Sequence, residues 1–229
     1  CLAEAEAAGC PQKLVVSDGV FSMDGTIANV RGIVERAERF GALVMLDECH
    51  ATGFVGPTGR GTPELHGVRG RVDILTGTLG KALGGGAGGY IVGPRNGVEL
   101  MVQRGRPTLF SNALPVTVAC SANKAIEILM NEPQRVAKLR DNVAYARAGI
   151  KKTGFDVLES PTAICPIIVH DTAKAIAMSQ KLLTMGVYVI GFGYPVVPEG
   201  HARLRVQISA GHEKAHIDRL IDALARIKN

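Results

Sequence analysis

The sequence predicts an α/β fold, a mostly parallel sheet with helices on both faces, followed by a smaller C-terminal α+β unit. Three observations carry that expectation. Short apolar runs alternate with segments of helical periodicity over the first 130 residues, the pattern of strands joined by crossover helices. Asp18, Asp47 and the turn from Thr76 to Lys81 fall at the carboxyl ends of those runs, where open α/β sheets place their ligand sites. Beyond Pro133 the order changes, so the boundary is expected near residues 130–134, with domains over 1–130 and 131–229.

Taken in order, "KLVVSD" (13–18) is a short apolar run and reads as a buried strand. "NVRGIVERAERFG" (29–41) has helical periodicity and stops at a glycine. "ALVMLDE" (42–48), "VDILTG" (72–77) and "GGYIVGP" (88–94) read as further strands. A helix runs from Leu114 to Pro133, and a second, over 134–154, ends at Gly154. The smaller unit then offers a strand over 163–170, a helix through Met185, strands over 187–192 and 202–209, and a terminal helix from Glu213.

Composition narrows the function. At 229 residues with 46% hydrophobic residues the chain has ample material for a packed core. No apolar run approaches the roughly eighteen residues that span a bilayer, so no membrane role is expected. Net charge is +5, but no Lys/Arg block carries interleaved aromatics, which argues against nucleic acid and suits an anionic small molecule. The five cysteines are odd in number and lack C-x-x-C spacing, as expected of reduced thiols in an intracellular protein. "CLAEAEAAGC" reads as the end of an amphipathic helix without an initiator Met, so the chain is expected to begin inside a longer protein.

The most unusual stretch is "LTGTLGKALGGGAGGY" (75–90), one lysine among glycines. A P-loop needs a glycine where Leu75 stands and a hydroxyl where Ala82 stands. Gly84, Gly86 and Gly89 match a dinucleotide fingerprint formally, yet a strand follows them where a helix should begin. Two readings stay open on this stretch alone: a glycine-rich bend with a solvated lysine, or Lys81 as the reacting group with glycines leaving room for a ligand. A lysine amine condenses with an aldehyde, and pyridoxal phosphate (PLP) supplies one. That cofactor needs a carboxylate at its pyridine nitrogen, a donor at its phenolic oxygen, and hydroxyls at its phosphate. Asp47 closes the most apolar strand, His50 follows in "DECHATGFVG", and Thr78 stands three residues before Lys81. Ser22, Ser111 and Asn112 are ordinary loop residues taken singly. A metal site at Asp47, Glu48, Cys49 and His50 lacks a known zinc spacing, and no G-x-S-x-G elbow exists for a serine hydrolase.

"SDGVFSMDGTIA", "DECHATGFVGPTGRG", "GTLGKALGG", "RPTLFSNAL" and "GFGYPVVPEGHARLRVQISAGH", in that order and spacing, resemble the α-oxoamine synthases of the fold type I PLP-dependent transferases. The resemblance covers essentially the whole chain and matches the C-terminal part of a family chain of greater length. It implies that Lys81 carries the cofactor and moves the substrate's α-proton, that Asp47 holds the pyridine nitrogen protonated, and that His50 and Ser22 bond the phenolic oxygen. Thr78 would contact the phosphate, and Ser111 and Asn112 the phosphate of the neighbouring subunit's cofactor, giving a homodimer with shared active sites. Arg205 would clamp the substrate carboxylate as a planar fork, with Arg203 on the same face of the strand as its rival. The implied reaction joins glycine and acetyl-CoA into 2-amino-3-oxobutanoate and CoA in threonine catabolism. Relatives using alanine or succinyl-CoA, of the 8-amino-7-oxononanoate and 5-aminolevulinate types, are the nearest alternatives, and a non-catalytic nucleotide-binding module the more distant one. Ala87 and Thr108 depart from the family's serine and tyrosine. The family's upstream segment holds a histidine that stacks on the cofactor, so the 229 residues alone are expected to be inactive. A mitochondrial location is expected in a eukaryote and a cytoplasmic one in a bacterium.

Overall fold

The computed structural model describes residues 1–84 and 86–228; Gly85, inside the glycine run, and Asn229 lie outside the described residues. The chain divides into two compact units, Cys1–Val20 with Ile27–Pro133, and Phe21–Thr26 with Gln134–Asn229.

The first unit runs α1 (Leu2–Ala7), β1 (Leu14–Asp18), α2 (Val30–Arg39), β2 (Leu43–Asp47), α3 (Thr62–Leu65), β3 (Ile74–Thr78), β4 (Gly89–Val92), α4 (Arg95–Arg104), α5 (Arg106–Phe110) and α6 (Val116–Asn131). Its sheet has the order β1-β2-β3-β4, with the first three strands parallel and β4 antiparallel to β3. The register aligns Asp18 with Asp47 and Asp47 with Thr76, so three polar residues line up at the carboxyl ends of adjacent strands.

Helix α2 begins at Asn29, whose side chain accepts the Gly32 N–H at 3.1 Å and so satisfies one orphan donor of the first turn. Its buried residues Val30, Val34 and Ala37 are spaced four and three apart, which puts them on one helical face. That face packs on Val44 and Leu46 of β2, a cluster joined by Val15 and Leu75. Each buried valine there contributes roughly 1.5–3 kcal/mol. Strand residues of the opposite parity face the other way. Leu14, Leu43 and Ile91 are exposed there and Val16 is 60% exposed, and Asp18 and Asp47 share their side. The carboxylates therefore emerge at one end of an exposed apolar sheet face.

The second unit contains α7 (Gln134–Lys152), β5 (Ile164–His170), α8 (Thr172–Thr184), β6 (Ile190–Phe192), β7 (Ala202–Gln207) and α9 (Lys214–Lys228). Its sheet is antiparallel with the order β5-β7-β6. Ile150, Ile164, Ile167, Leu182, Leu204 and Leu224 are fully buried in its core. Asp171 caps α8 by accepting the Lys174 N–H at 2.6 Å.

The short excursion Phe21–Thr26 belongs with this second unit, although the sequence places it in the first domain. The chain leaves the first unit at Val20 and returns at Ile27, and these two residues pair as an antiparallel bridge. What holds the excursion is a set of partners far along the chain. The Gly25 carbonyl accepts the hydroxyls of Ser160 and Thr162, the latter at 2.9 Å. Gly25 has φ +70°, and a Cβ there would stand 2.8 Å from Thr162 Oγ1 and 2.9 Å from Ile164 Cβ, so only glycine fits.

Candidate active site

Asp47 ends β2, and its Oδ1 accepts the Cys49 backbone N–H at 2.7 Å. Burial works to raise its pKa. Hydrogen bonds from Cys49 and Thr76 and the positive charge of Lys81 outweigh burial and hold the carboxyl below its ordinary value. Asp18, on the neighbouring strand end, goes the other way: burial first, then the Asp47 charge, push it up, with Lys81 opposing. Two adjacent carboxyls are thus driven apart, which leaves Asp47 as the stable anion beside Lys81. The thiol of Cys49 is pushed up to about 11 by burial and by Asp47, so it is an inert thiol at neutral pH.

The sequence pointed to no role for Tyr90, named Glu48 only in a metal site it disfavoured, and Thr76 only as the start of the Lys81 turn. Glu48 is 2% exposed and accepts the Thr62 N–H at 2.7 Å and the Thr62 hydroxyl. Burial raises its pKa against those two bonds. A Cβ on Gly19 or on Gly61 would overlap its carboxylate, so both glycines are there to let it in. Glu48 thereby ties down both ends of the loop that carries His50. Tyr90 donates its hydroxyl to Thr52 Oγ1 at 2.9 Å in that same loop. The adjacent "DE" and the aromatic closing the glycine run were the signals available in the sequence.

Before Lys81, the hydroxyl of Thr78 accepts the Gly80 N–H at 3.1 Å and donates to the Gly88 carbonyl at 3.3 Å, closing the turn. The glycines beside it correct one expectation. A Cβ on Gly77 would strike the Tyr90 ring, one on Gly86 would lie 2.9 Å from Val118, and one on Gly88 would lie 2.7 Å from Leu114. These glycines seat protein side chains and do not open space for a ligand. Ala87 is exposed between them, and nothing in the structure explains its departure from serine.

Ser111 and Asn112 follow α5 and are exposed. Among the described residues no hydrogen bond joins either to Asp47, Thr78 or Lys81. Phe110, 81% exposed, and Val116, 77% exposed, flank them. The structure therefore gathers Asp47, Thr78 and Lys81 at the strand ends, with His50 in the turn after β2, and leaves Ser111 and Asn112 on an apolar surface.

In the second unit the excursion carries Ser22, whose carbonyl accepts Arg205 Nε at 2.7 Å. The two arginines that the sequence places on one strand face are separated by their partners. Arg203 is 4% exposed, donates to the carbonyls of His201 and Met23 at 3.0 and 3.1 Å, and pairs with Asp24. Arg205 is half-buried, and burial lowers its pKa from the ordinary value. It lines an open cleft of about 610 Å³ with Ile190 and Phe192, and its two terminal nitrogens have no hydrogen-bond partner among the described residues.

The sequence pattern described as aminotransferase class I and II matches residues 1–224. The chain belongs to that aminotransferase family. Within the family, the human protein named 2-amino-3-ketobutyrate coenzyme A ligase, mitochondrial, is 49% identical over 94% of this chain and 51% of its own length. An 8-amino-7-oxononanoate synthase from Symbiobacterium thermophilum is 43% identical over 94% of this chain and 55% of its own. A solved serine palmitoyltransferase from S. paucimobilis with a bound PLP–myriocin aldimine superposes with a TM-score of 0.89 at 33% identity, covering 99% of this chain and 58% of that one. The chain thus spans about half the length of the curated relatives it matches. The fold of this aminotransferase-family chain is that of the PLP-dependent fold type I transferases.

Proposed function

We propose that the complete protein is a PLP-dependent acyltransferase that condenses glycine with acetyl-CoA, reversibly, to 2-amino-3-oxobutanoate and CoA, serving threonine catabolism. The observation that carries this reading is Asp47, kept anionic at a strand end beside the Lys81 ammonium. The residues fit the cofactor. An anionic carboxylate matches a protonated pyridine nitrogen, and the long bond from Thr78 to Gly88 is one that a phosphate oxygen would replace. When bound, PLP supplies an electron sink for the negative charge left on the glycine α-carbon.

Lys81 Nζ would hold the cofactor and then take and return the α-proton, with Asp47 keeping the ring nitrogen's proton in place. His50 and the Ser22 hydroxyl would donate to the phenolic oxygen. Arg205, whose two terminal nitrogens have no hydrogen-bond partner among the described residues, would donate to the glycine carboxylate in a bidentate pair. A homodimer is supported by the exposed Phe110 and Val116 around Ser111 and Asn112, which would reach the neighbouring subunit's phosphate site. The name of the human relative supports mitochondria as the compartment if the source is a eukaryote; the cytoplasm would be the compartment in a bacterium.

The test is borohydride reduction of the PLP-loaded complete protein, which should leave cofactor covalently on Lys81; label on a different lysine, or none, overturns the reading. Release of CoA from acetyl-, succinyl- and pimeloyl-CoA with glycine or alanine then sorts the acyl donor, and a preference for pimeloyl-CoA with alanine would move the protein to the 8-amino-7-oxononanoate type.

A further inference from the structure

The Phe21–Thr26 excursion is held by more bonds than a surface turn needs, and two of its anchors are alternate residues of one strand. Arg203 and Arg205 of β7 lie opposite Phe192 and Ile190 of β6 and point to the same side of the sheet. Arg203 spends two of its nitrogens on protein: Nε on the His201 carbonyl, Nη1 on the Met23 carbonyl and on Asp24. Arg205 spends one, Nε on the Ser22 carbonyl. Gly25 is fixed from the other side by Ser160 and Thr162, both buried.

A guanidinium is planar, so fixing Nε sets the plane in which the two terminal nitrogens lie. The Ser22 carbonyl sets that plane for Arg205. What places the Ser22 carbonyl is the next two residues, Met23 and Asp24, both bonded to Arg203. Arg203 is 4% exposed, engages Nε and Nη1 with protein, and does not line the cleft that Arg205 lines.

We propose that Arg203 and Asp24 form a positioning pair that orients the Arg205 fork for a substrate carboxylate, acting through the Ser22 backbone. This rests on the reading of Arg205 as the carboxylate clamp. It converts Arg203 from a rival of Arg205 into its support, and it gives the six-residue excursion a role in substrate specificity.

The test uses the PLP-loaded complete protein and three variants, Arg205→Ala, Arg203→Ala and Asp24→Ala. Asp24 is 46% exposed at its side chain, so its variant removes less buried packing than Arg203→Ala, and a urea melt of each variant checks that the fold is kept. Two readouts are taken: the glycine Kd by titration calorimetry, and KM for glycine and for acetyl-CoA alongside kcat. Arg205→Ala should weaken glycine on the order of a hundredfold, and Asp24→Ala on the order of tenfold, the scale of a charge-assisted hydrogen bond. In Asp24→Ala the KM for acetyl-CoA and kcat should stay within about twofold, a split that general loosening of the fold would not give. The double variant Arg203→Ala with Asp24→Ala should be no worse for glycine than the worse single one, since both break one pair. If Arg205→Ala leaves glycine binding unchanged, the clamp reading itself falls. If Arg205→Ala weakens glycine and Asp24→Ala does not, the positioning pair is refuted and the clamp stands.

Discussion

Glu48 gives the sharpest stability test of this structure. Its carboxylate is buried against Thr62, itself fully buried, and the backbone of Gly19 and Gly61 closes around it. Glu48→Ala leaves the Thr62 N–H and hydroxyl without their acceptor in a dry site, at about 1–3 kcal/mol each, so about 2–6 kcal/mol in all. Glu48→Gln keeps an acceptor for the N–H and sets an amide against the hydroxyl, so it should stay within about 1 kcal/mol of the parent at pH 7. The sign of the pH effect follows from the raised folded pKa. Below the ordinary glutamate value both folded and unfolded forms are protonated and this group contributes no pH dependence. As pH rises through the window up to the folded value, the unfolded chain releases its proton first and the folded state loses ground. Glu48→Gln should therefore gain on the parent between mild acid and neutral pH, and the gain should vanish below about pH 4. Gly19→Ala should cost about 1–3 kcal/mol by overpacking, and part of that cost should disappear in the Glu48→Ala background, which removes the clash with the carboxylate and leaves the one with Thr62 Oγ1 at 2.6 Å. Urea unfolding followed by circular dichroism, at several pH values, reads Glu48→Gln and the three variants of the Gly19–Glu48 cycle. Glu48→Gln as damaging as Glu48→Ala, or additive Gly19 and Glu48 effects, would refute the anchoring role.

Cys49 reports on Asp47 without any cofactor. With its thiol pushed up to about 11, only about a thousandth is thiolate at pH 8, so alkylation should be slow. Asp47→Asn removes the neighbouring negative charge and should speed labelling of Cys49 several-fold by mass spectrometry; an unchanged rate would mean that burial alone sets the thiol. Phe110→Asp places a charge on the apolar surface beside Ser111 and should shift the complete protein toward monomer in sedimentation velocity at micromolar concentration; an undisturbed dimer would move the subunit contact elsewhere.

Much of the layout was legible because the physical signals were local. The apolar runs ending at Asp18 and Asp47 form strands as their length and composition predict, but β1, expected to be buried, buries none of its residues because one face of the sheet is exposed; α2 shows its face through Val30, Val34 and Ala37. The elements left unpredicted lack such a face: α4 and α5 bury none of their residues, and α3 is four residues long. That Asp47, Thr78 and Lys81 stand at neighbouring strand ends was legible because one strand end and one turn place all three. Two matters were not. Glycine near a reactive lysine reads equally as room for a ligand or as room for Tyr90, Val118 and Leu114, and only packing decides. Arg203 and Arg205 share a parity and a strand, and what tells them apart is Asp24, 179 residues away.

The six-residue excursion also sets a schedule. The Ser22 carbonyl meets Arg205 across 183 residues of chain, and Gly25 meets Ser160 across 135. At roughly 5–20 residues per second, a ribosome adds that length in about 10–40 s, during which α2 and its neighbouring strands have all their local partners and the excursion has only its own two backbone bonds, Phe21 N–H to the Thr26 carbonyl and Gly25 N–H to the Phe21 carbonyl. Closing so long a loop costs little more free energy than closing one half as long, by about 0.6 kcal/mol, so the delay is one of order and not of stability. A nascent chain that stalls before β7 would therefore leave Ser22 on a loose end however well the preceding strands had formed.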